Sequence, residues 1–259
     1  MLSSPRSPVV RAVARLQQRT ARSETGLFLL EGPQALRDAI NAEADIDQVF
    51  FTESAAQKHT DLLDVAGIAY VACSEEALGR MADTRTPQGF VATVRQFPKR
   101  LETVLEGADR IAILHEVRDP GNLGTVLRVA DAAGFDAVVV TEDSVDAYNP
   151  KVVRATTGSL FHMPHAVGVS TLEAVTTAKR LGMSVLAADV SGQDLRPDDE
   201  ALPRPHAWLF GNEARGLDEA TLSLADRALR VPMFGRAESM NLATAAAVCL
   251  YASAFAGRS

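Results

Sequence analysis

Three short stretches of this 259-residue chain concentrate the residue types that can hold a ligand or manage charge. The first runs His115-Glu-Val-Arg-Asp-Pro-Gly-Asn-Leu-Gly and is followed by Arg128, which stands in an otherwise apolar stretch of Val126, Leu127, Val129 and Ala130. The second is Gly211-Asn-Glu-Ala-Arg-Gly216, directly after Trp208-Leu-Phe. The third is Pro232-Met-Phe-Gly-Arg-Ala-Glu-Ser-Met-Asn241. Glycines let backbone amides approach a ligand closely, and a helix that begins after such a turn presents unpaired N–H groups to an anion or carboxylate. Ordinary turn chemistry explains the same composition in any one of these loops taken alone. Neither G-x-G-x-x-G nor G-x-x-x-x-G-K-[ST] is present, which lowers nicotinamide dinucleotides and nucleoside triphosphates as ligands. His162 and His165 supply two imidazoles, but Pro164 breaks the helical geometry that would aim both at one metal, so no metal site is expected.

These loops need a scaffold. Apolar runs of strand length alternate with helical patterns along most of the chain. Strands are expected near residues 27–30, 49–51, 68–72 and 90–94, with helices near 33–41, up to 66, and from 75; this is a small α/β domain. Phe97, Pro98, Lys99 and Arg100 interrupt the pattern. A second domain opens with a strand at 111–114, the turn Asp119-Pro-Gly-Asn, a helix to 133 and a strand at 137–140. That order implies a parallel, right-handed crossover. Helices near 150–157 and 172–181, strands at 185–187 and 208–210, and a long alanine-rich last helix begun by Ser239 and Asn241 complete it. The expected division is a basic arm at 1–23, a first domain at 24–97, a linker at 98–109 and a second domain at 110–259. In open parallel sheets ligands bind beyond the C-terminal strand ends, which is where the three polar loops fall.

With 47% hydrophobic residues the chain can form sizeable cores, and its two cysteines, Cys73 and Cys249, are too few for a disulfide framework or a cysteine-based zinc site. A cytoplasmic location is expected. The uncharged run at 239–257 approaches membrane-span length but is alanine-built and interrupted by Asn241, Thr244 and Ser253, so it reads as a helix packed on protein. The formal net charge of −7 conceals a polarity. Residues 1–23 carry five arginines (Arg6, Arg11, Arg15, Arg19, Arg22) and no acid, whereas 24–100 and 101–259 are net acidic. The arm either grips a polyanion or is a solvated helix docked through Val9, Val10, Val13 and Leu16, and both can hold at once.

Taken together and in order, Asn122-Leu-Gly-Thr-Val-Leu-Arg128, Leu209-Phe-Gly-Asn-Glu213-Ala-Arg-Gly216 and Val231-Pro-Met through Ser239-Met-Asn241 resemble the three signature motifs of the SpoU (TrmH) family of RNA ribose 2'-O-methyltransferases, in the SPOUT superfamily. The run Thr157-Gly-Ser-Leu-Phe-His-Met-Pro is similar to one these enzymes carry between the first two motifs. Gly26-Leu-Phe-Leu-Leu-Glu-Gly-Pro resembles the start of the L30e-like substrate-binding domain that many rRNA-directed members place upstream.

The resemblance implies an α/β fold whose parallel-sheet C-terminal domain is tied in a trefoil knot, preceded by a small L30e-like α/β domain. It implies a homodimer through the knot region and S-adenosylmethionine as cofactor, held by Gly211, Val231 and Met240. The implied catalytic set is Arg128, Asn122, Glu213, Ser239 and Asn241. A guanidinium is normally a fixed cation with five donors. For Arg128 the reading adopted is therefore orientation of the ribose-phosphate and compensation of developing negative charge, although a general-base role has been proposed in the family and the proton acceptor stays open. Asn122 either contacts the target or caps a helix. Glu213 either orients Arg128 or Asn122 or is a first-turn glutamate; Ser239 and Asn241 either cap the last helix or place the substrate and knot loop. His115 and Glu116 depart from the family's usual aspartate and small or polar residue. The expected partner is RNA, most of all 23S rRNA, touched by the arm, Arg128, Lys151, Arg154 and Arg236; the alternatives are a tRNA-directed enzyme and a non-catalytic RNA-binding or ribosome-assembly protein of the same fold.

Overall fold

The computed structural model describes residues 1–256, which form two compact units. Elements in chain order are α1 (Pro8–Arg15), α2 (Arg19–Thr25), β1 (Leu27–Glu31), α3 (Pro33–Asn41), β2 (Ile46–Phe51), α4 (Glu53–Lys58), a 3-10 turn (Thr60–Leu62), β3 (Ala69–Ala72), α5 (Glu75–Met81) and β4 (Phe90–Arg95). There follow α6 (Leu101–Leu105), β5 (Arg110–Leu114), α7 (Pro120–Ala133), β6 (Ala137–Thr141), α8 (Pro150–Thr156), α9 (Ser159–His162), β7 (His165–Val169) and α10 (Thr171–Arg180). The chain continues through β8 (Ser184–Asp194), β9 (His206–Phe210), α11 (Glu219–Leu222) and β10 (Arg227–Arg230) to α12 (Leu242–Ala256).

The first unit comprises Met1–Phe97 and Tyr148–Phe161. Its sheet has the order β1-β4-β2-β3, antiparallel except for β2 with β3. The arginine-rich N-terminus is part of this unit rather than an arm. Val10, Val13 and Leu16 lie in its core with Leu29, Phe50 and Leu78. Arg22 is only 1% exposed and donates from Nη1 to the Leu16 carbonyl at 2.8 Å, so it closes the α1–α2 corner and is not presented to a partner; Arg6, Arg11, Arg15 and Arg19 remain exposed. The helix at 150–156, expected in the second domain, also packs here. Tyr148 and Phe161 bracket it, with ring centroids 5.0 Å and 6.4 Å from Phe28. Ring burial of this kind outweighs chain order in deciding where a short helix docks.

The second unit is a six-stranded, wholly parallel sheet in the order β10-β8-β9-β5-β6-β7. Its strands are near-continuous apolar runs, as parallel strands covered on both faces must be. Residues 98–109 are not a bare linker: α6 buries Leu101, Val104 and Leu105 in the core beside Ile111 and Val139. Strand β8 runs well past residue 187 because β10 pairs along it, through a register shift between Ala228 and Leu229. Helix α12 lies against α7 and is locked to the sheet by a buried polar knot of side chains. His206 Nδ1 faces the Arg204 carbonyl at 2.7 Å and must donate to it; Nε2 then accepts from the Ser253 hydroxyl at 2.8 Å, which in turn accepts from Trp208 Nε1 at 2.9 Å. No described helix is long and apolar enough to cross a membrane, and both cysteines are free and buried.

Candidate active site

Strand order reverses between β5 and β9, and their last residues, Leu114 and Phe210, are paired. The loops that leave them therefore emerge side by side, in the crevice where open parallel sheets bind ligands. The first loop is held to its neighbour at once, by His115 N donating to the Phe210 carbonyl at 2.8 Å. Asp119 then caps α7 by accepting from Asn122 N at 2.8 Å, with Pro120 at the position where a missing N–H costs nothing.

The loop after β9 folds on itself through Asn212 and Gly216, which exchange backbone bonds of 3.0 and 2.8 Å. Gly211 has no room for a side chain: a Cβ there would lie 2.5 Å from the Gly216 carbonyl carbon and 2.7 Å from Leu217 N. The bare backbone therefore forms the wall. Asn212 reaches across to donate to the Glu116 carbonyl at 2.8 Å, and the Glu116 carboxylate accepts from Arg215 Nη2 at 2.6 Å. Glu116 holds a left-handed φ of 49°, an uncommon conformation for a side chain of this type, which those two contacts sustain.

Glu213 ties the loops together. Its Oε1 accepts from Asp119 N at 2.9 Å and Asn122 Nδ2 at 3.2 Å, and its Oε2 accepts from Arg118 N at 3.0 Å. Partial burial pushes this carboxyl up, but the two backbone donors and the Asn122 carboxamide outweigh it and hold the pKa below the usual glutamate value. The freed Oδ1 of Asn122 accepts from Asn241 Nδ2 at 2.9 Å. A relay Glu213–Asn122–Asn241 thus joins three loops that are far apart in sequence, and Asn122 at its centre is 9% exposed. Asn241 also caps α12, accepting from Thr244 N at 3.2 Å. Ser239 does no capping, because the helix starts only at Leu242.

Beside the relay opens a cavity of about 710 Å3, whose lining includes Gly211, Glu213, Val231, Ser239, Met240 and Asp189. Its size is that of a small-molecule site. Residues 231–240, several of which line the cavity, make no backbone hydrogen bonds among the described residues, so their amide (Pro232 excepted) and carbonyl groups are not spent within the protein. Backbone walls, thioether and apolar contacts from Met240 and Val231, and the carboxylates of Asp189 and Glu213 fit a cationic nucleoside of the S-adenosylmethionine type.

Arg128 stands apart from this cluster. It lies on the exposed face of α7 with Gly121 and Thr125 and has no hydrogen-bond or ion-pair partner among the described residues. Glu213 orients Asn122 and not Arg128. Of the basic residues expected at an RNA surface, Arg154 is engaged by two acids, at 2.8 Å from Asp83 and 3.5 Å from Glu31. His162 lies 3.7 Å from Asp131, whereas burial lowers the pKa of His165, whose Nδ1 contacts the Met163 carbonyl at 2.9 Å; the two rings are separately committed. The sequence marks the Asp119-Pro-Gly-Asn turn and the departure at Glu116, but neither the capping role of Asp119 nor the Asn212–Glu116 brace. The x-D-P-G turn before a helical run is the signal that could yield the first, while nothing local signals a contact spanning 96 residues.

A parallel α/β unit whose ligand cavity is built from loop backbone at the strand-order reversal, without a glycine-rich phosphate loop, defines a class of nucleoside-cofactor enzymes. The model of the SpoU rRNA Methylase family matches residues 109–251, and that of the MRM3-like substrate binding domain matches 7–92. The 23S rRNA (guanosine(2553)-2'-O)-methyltransferase RlmP of Bacillus subtilis is 33% identical over 252 residues, covering 96% of this chain and 97% of that protein. An AdoMet-bound rRNA methyltransferase from Sinorhizobium meliloti superposes with a TM-score of 0.87 at 28% identity, over 97% of this chain and 96% of the other. The SpoU methyltransferase AviRb from Streptomyces viridochromogenes, in complex with AdoMet, also gives 0.87, at 26% identity over 96% and 97%. The chain belongs to the SpoU rRNA methylase family. The substrate-domain match begins at residue 7, in keeping with the packing of α1 and α2 on the first unit rather than with an arm ending at residue 23.

Proposed function

We propose that this protein is an S-adenosylmethionine-dependent RNA methyltransferase acting on a ribose 2'-hydroxyl of 23S rRNA, in the cytoplasm. The observation that carries the reading is the Glu213–Asn122–Asn241 relay at the edge of the cavity, which joins the three motif loops into one frame. Gly211, Val231 and Met240 would hold the cofactor. When bound, that cofactor supplies an activated methyl group on a sulfonium.

The chain's own residues do the rest. Glu213 fixes the α7 N-terminus and the Asn122 carboxamide, so the frame does not reorganise when the nucleotide arrives. Asn241 starts α12 and sets the direction of the 231–241 loop; Ser239 lines the cavity and offers a hydroxyl to the ribose. Arg128 orients the ribose-phosphate with its fork of donors and offsets negative charge developing at the 2'-oxygen. A flipped-out or single-stranded nucleotide suits such a site, because a 2'-hydroxyl within a regular duplex is hard to align.

A homodimer completes the reading. Val248, Tyr251 and Phe255 stand 41%, 37% and 68% exposed along one face of α12, an apolar stripe that a second copy would bury. Light scattering should report a dimer, and Phe255→Asp should shift it toward monomer. The trefoil knot is supported by the path of the chain: from the sheet edge at β10 it returns past the β5 and β9 loops to α12 on α7. Pulling both ends in a force experiment should leave the unfolded chain short of its full contour length.

The functional test is methyl transfer to an unmodified 23S rRNA transcript, followed by alkaline hydrolysis. An alkali-resistant dinucleotide is expected; label on a base, or no transfer, refutes the reading.

A further inference from the structure

The first unit contains a second cavity, of about 450 Å3, lined by Pro33, Ser54, Lys58, His59, Pro87 and Gln88 among others. Gly89 gives this cavity a floor with no side chain. Gly89 adopts a φ of +80°, and a Cβ there would lie 2.4 Å from the Ala55 Cβ and 2.8 Å from Thr52 Oγ1. Thr52 N bonds the Gly89 carbonyl at 3.0 Å, which fixes that floor to the start of α4.

The loop at 83–89, whose Pro87, Gln88 and Gly89 line the cavity, is held at its start. Glu31, whose side chain is 6% exposed, accepts from Asp83 N at 2.8 Å, Thr84 N at 3.3 Å and Thr84 Oγ1 at 2.7 Å. Arg154 clamps the same loop through Asp83. A buried carboxylate is costly unless satisfied in this way, and here it stabilises the shape of a surface loop that contributes little to the core.

The groups facing the cavity are differently disposed. His59 is fixed with its ring edge-on to Phe90 at 6.0 Å, and Glu75 is engaged by the Ser54 hydroxyl at 2.9 Å. Lys58 and Gln88 are exposed and have no hydrogen-bond or ion-pair partner among the described residues. The cavity, with Pro33 and Pro87 in its lining, thus presents one unpaired ammonium and one unpaired carboxamide. The proline side chains and the His59 ring offer surface to a base face, a carboxamide can donate to and accept from a base edge at once, and an ammonium suits a phosphate.

We propose that this cavity is an RNA subsite that takes one unpaired nucleotide, with Gln88 on the base edge, Lys58 on a neighbouring phosphate and Arg154 as a positioning residue for the loop at 83–89 that carries Gln88. The proposal rests on the RNA-methylating reading and adds a point at which the first unit grips the RNA.

The test uses the full-length protein and a fluorescently labelled, unmodified 23S rRNA transcript, with binding followed by anisotropy over a salt series. Lys58→Ala and Gln88→Ala should each weaken binding roughly tenfold. Lys58→Ala should also flatten the plot of log affinity against log salt by about 0.7, as expected for one lost single-strand phosphate contact, whereas Gln88→Ala should leave that slope unchanged. Affinity for S-adenosylmethionine and the melting temperature should be those of the wild type in both. A 4-thiouridine-substituted transcript should crosslink to peptides containing residues 58–59 or 85–89. Wild-type affinity and slope in both variants, with crosslinks elsewhere, overturn the subsite even if methyl transfer proceeds. Loss of binding in the variants of a protein that never transfers methyl to the transcript would leave the subsite standing and sink the methyltransferase reading instead.

Discussion

Replacing Glu213 by glutamine tests whether the relay is a working frame. The carboxylate now accepts three hydrogen bonds, from Arg118 N, Asp119 N and Asn122 Nδ2. A carboxamide retains one acceptor oxygen for the Asp119 and Asn122 donors but turns an NH2 group toward the Arg118 N–H, donor against donor. One bond is lost and two fall from charge-assisted to neutral strength. Bonds to a charged acceptor contribute about 1.5–3 kcal/mol and neutral ones about 0.5–1.5 kcal/mol. Glu213 is exposed, so water replaces part of the loss and the net effect should be about 1–2 kcal/mol. If the transition state needs the loops held in place, single-turnover methyl transfer should fall by roughly 5- to 30-fold, since about 1.4 kcal/mol is tenfold in rate.

The same substitution carries a pH signature. The folded-state pKa of Glu213 is depressed, so its stabilising contribution is complete above the unfolded value of about 4.3 and is lost as pH falls through the lower folded value. Wild type should therefore be more stable than Glu213→Gln near neutral pH, with the gap closing below about pH 4.3. Chemical denaturation across that range and rapid-quench methyl transfer are the measurements. Equal transfer rates, together with a stability gap that is absent or independent of pH, would show that the carboxylate only decorates the loop.

Arg128→Ala should cut methyl transfer by about two orders of magnitude or more, as for loss of a charge-stabilising donor, and leave the melting temperature unchanged, because the side chain has no partner among the described residues. Wild-type turnover in that variant would remove Arg128 from the mechanism. Gly211→Ala should abolish measurable cofactor binding by calorimetry and destabilise the fold by about 1–3 kcal/mol, since its Cβ would meet backbone at 2.5 Å. Ser253→Ala should cost about 2–4 kcal/mol in denaturant titrations, because it strands two buried groups, Trp208 Nε1 and His206 Nε2. Burial depresses the pKa of His206, so this ring favours the fold above its unfolded value of about 6.5, and wild-type stability should decline as pH drops below it.

Local patterning makes much of this protein legible in its sequence. The strands at β5, β6 and β9 are apolar runs that announce burial on both faces, and Pro33, Pro120 and Pro150 mark helix starts because a proline at the first helical position gives up no needed N–H. The three motifs are readable as a set, and the structure brings Gly211, Val231, Met240, Glu213 and Ser239 from them to one cavity and bonds Asn122 to Asn241. Spacing along the chain, however, cannot distinguish side chains that share a motif from side chains that touch. It could not show that Glu213 engages Asn122 and leaves Arg128 aside, that Asn241 caps α12 while Ser239 does not, or that Arg22 and Arg154 are bound within the first unit. Periodicity and turn chemistry act within a few residues, and so they are written in the chain. Which polar atoms pair across 91 or 119 residues depends on how two strand ends and a returning loop meet, and the cost of leaving those atoms unpaired is imposed only once the sheet has formed.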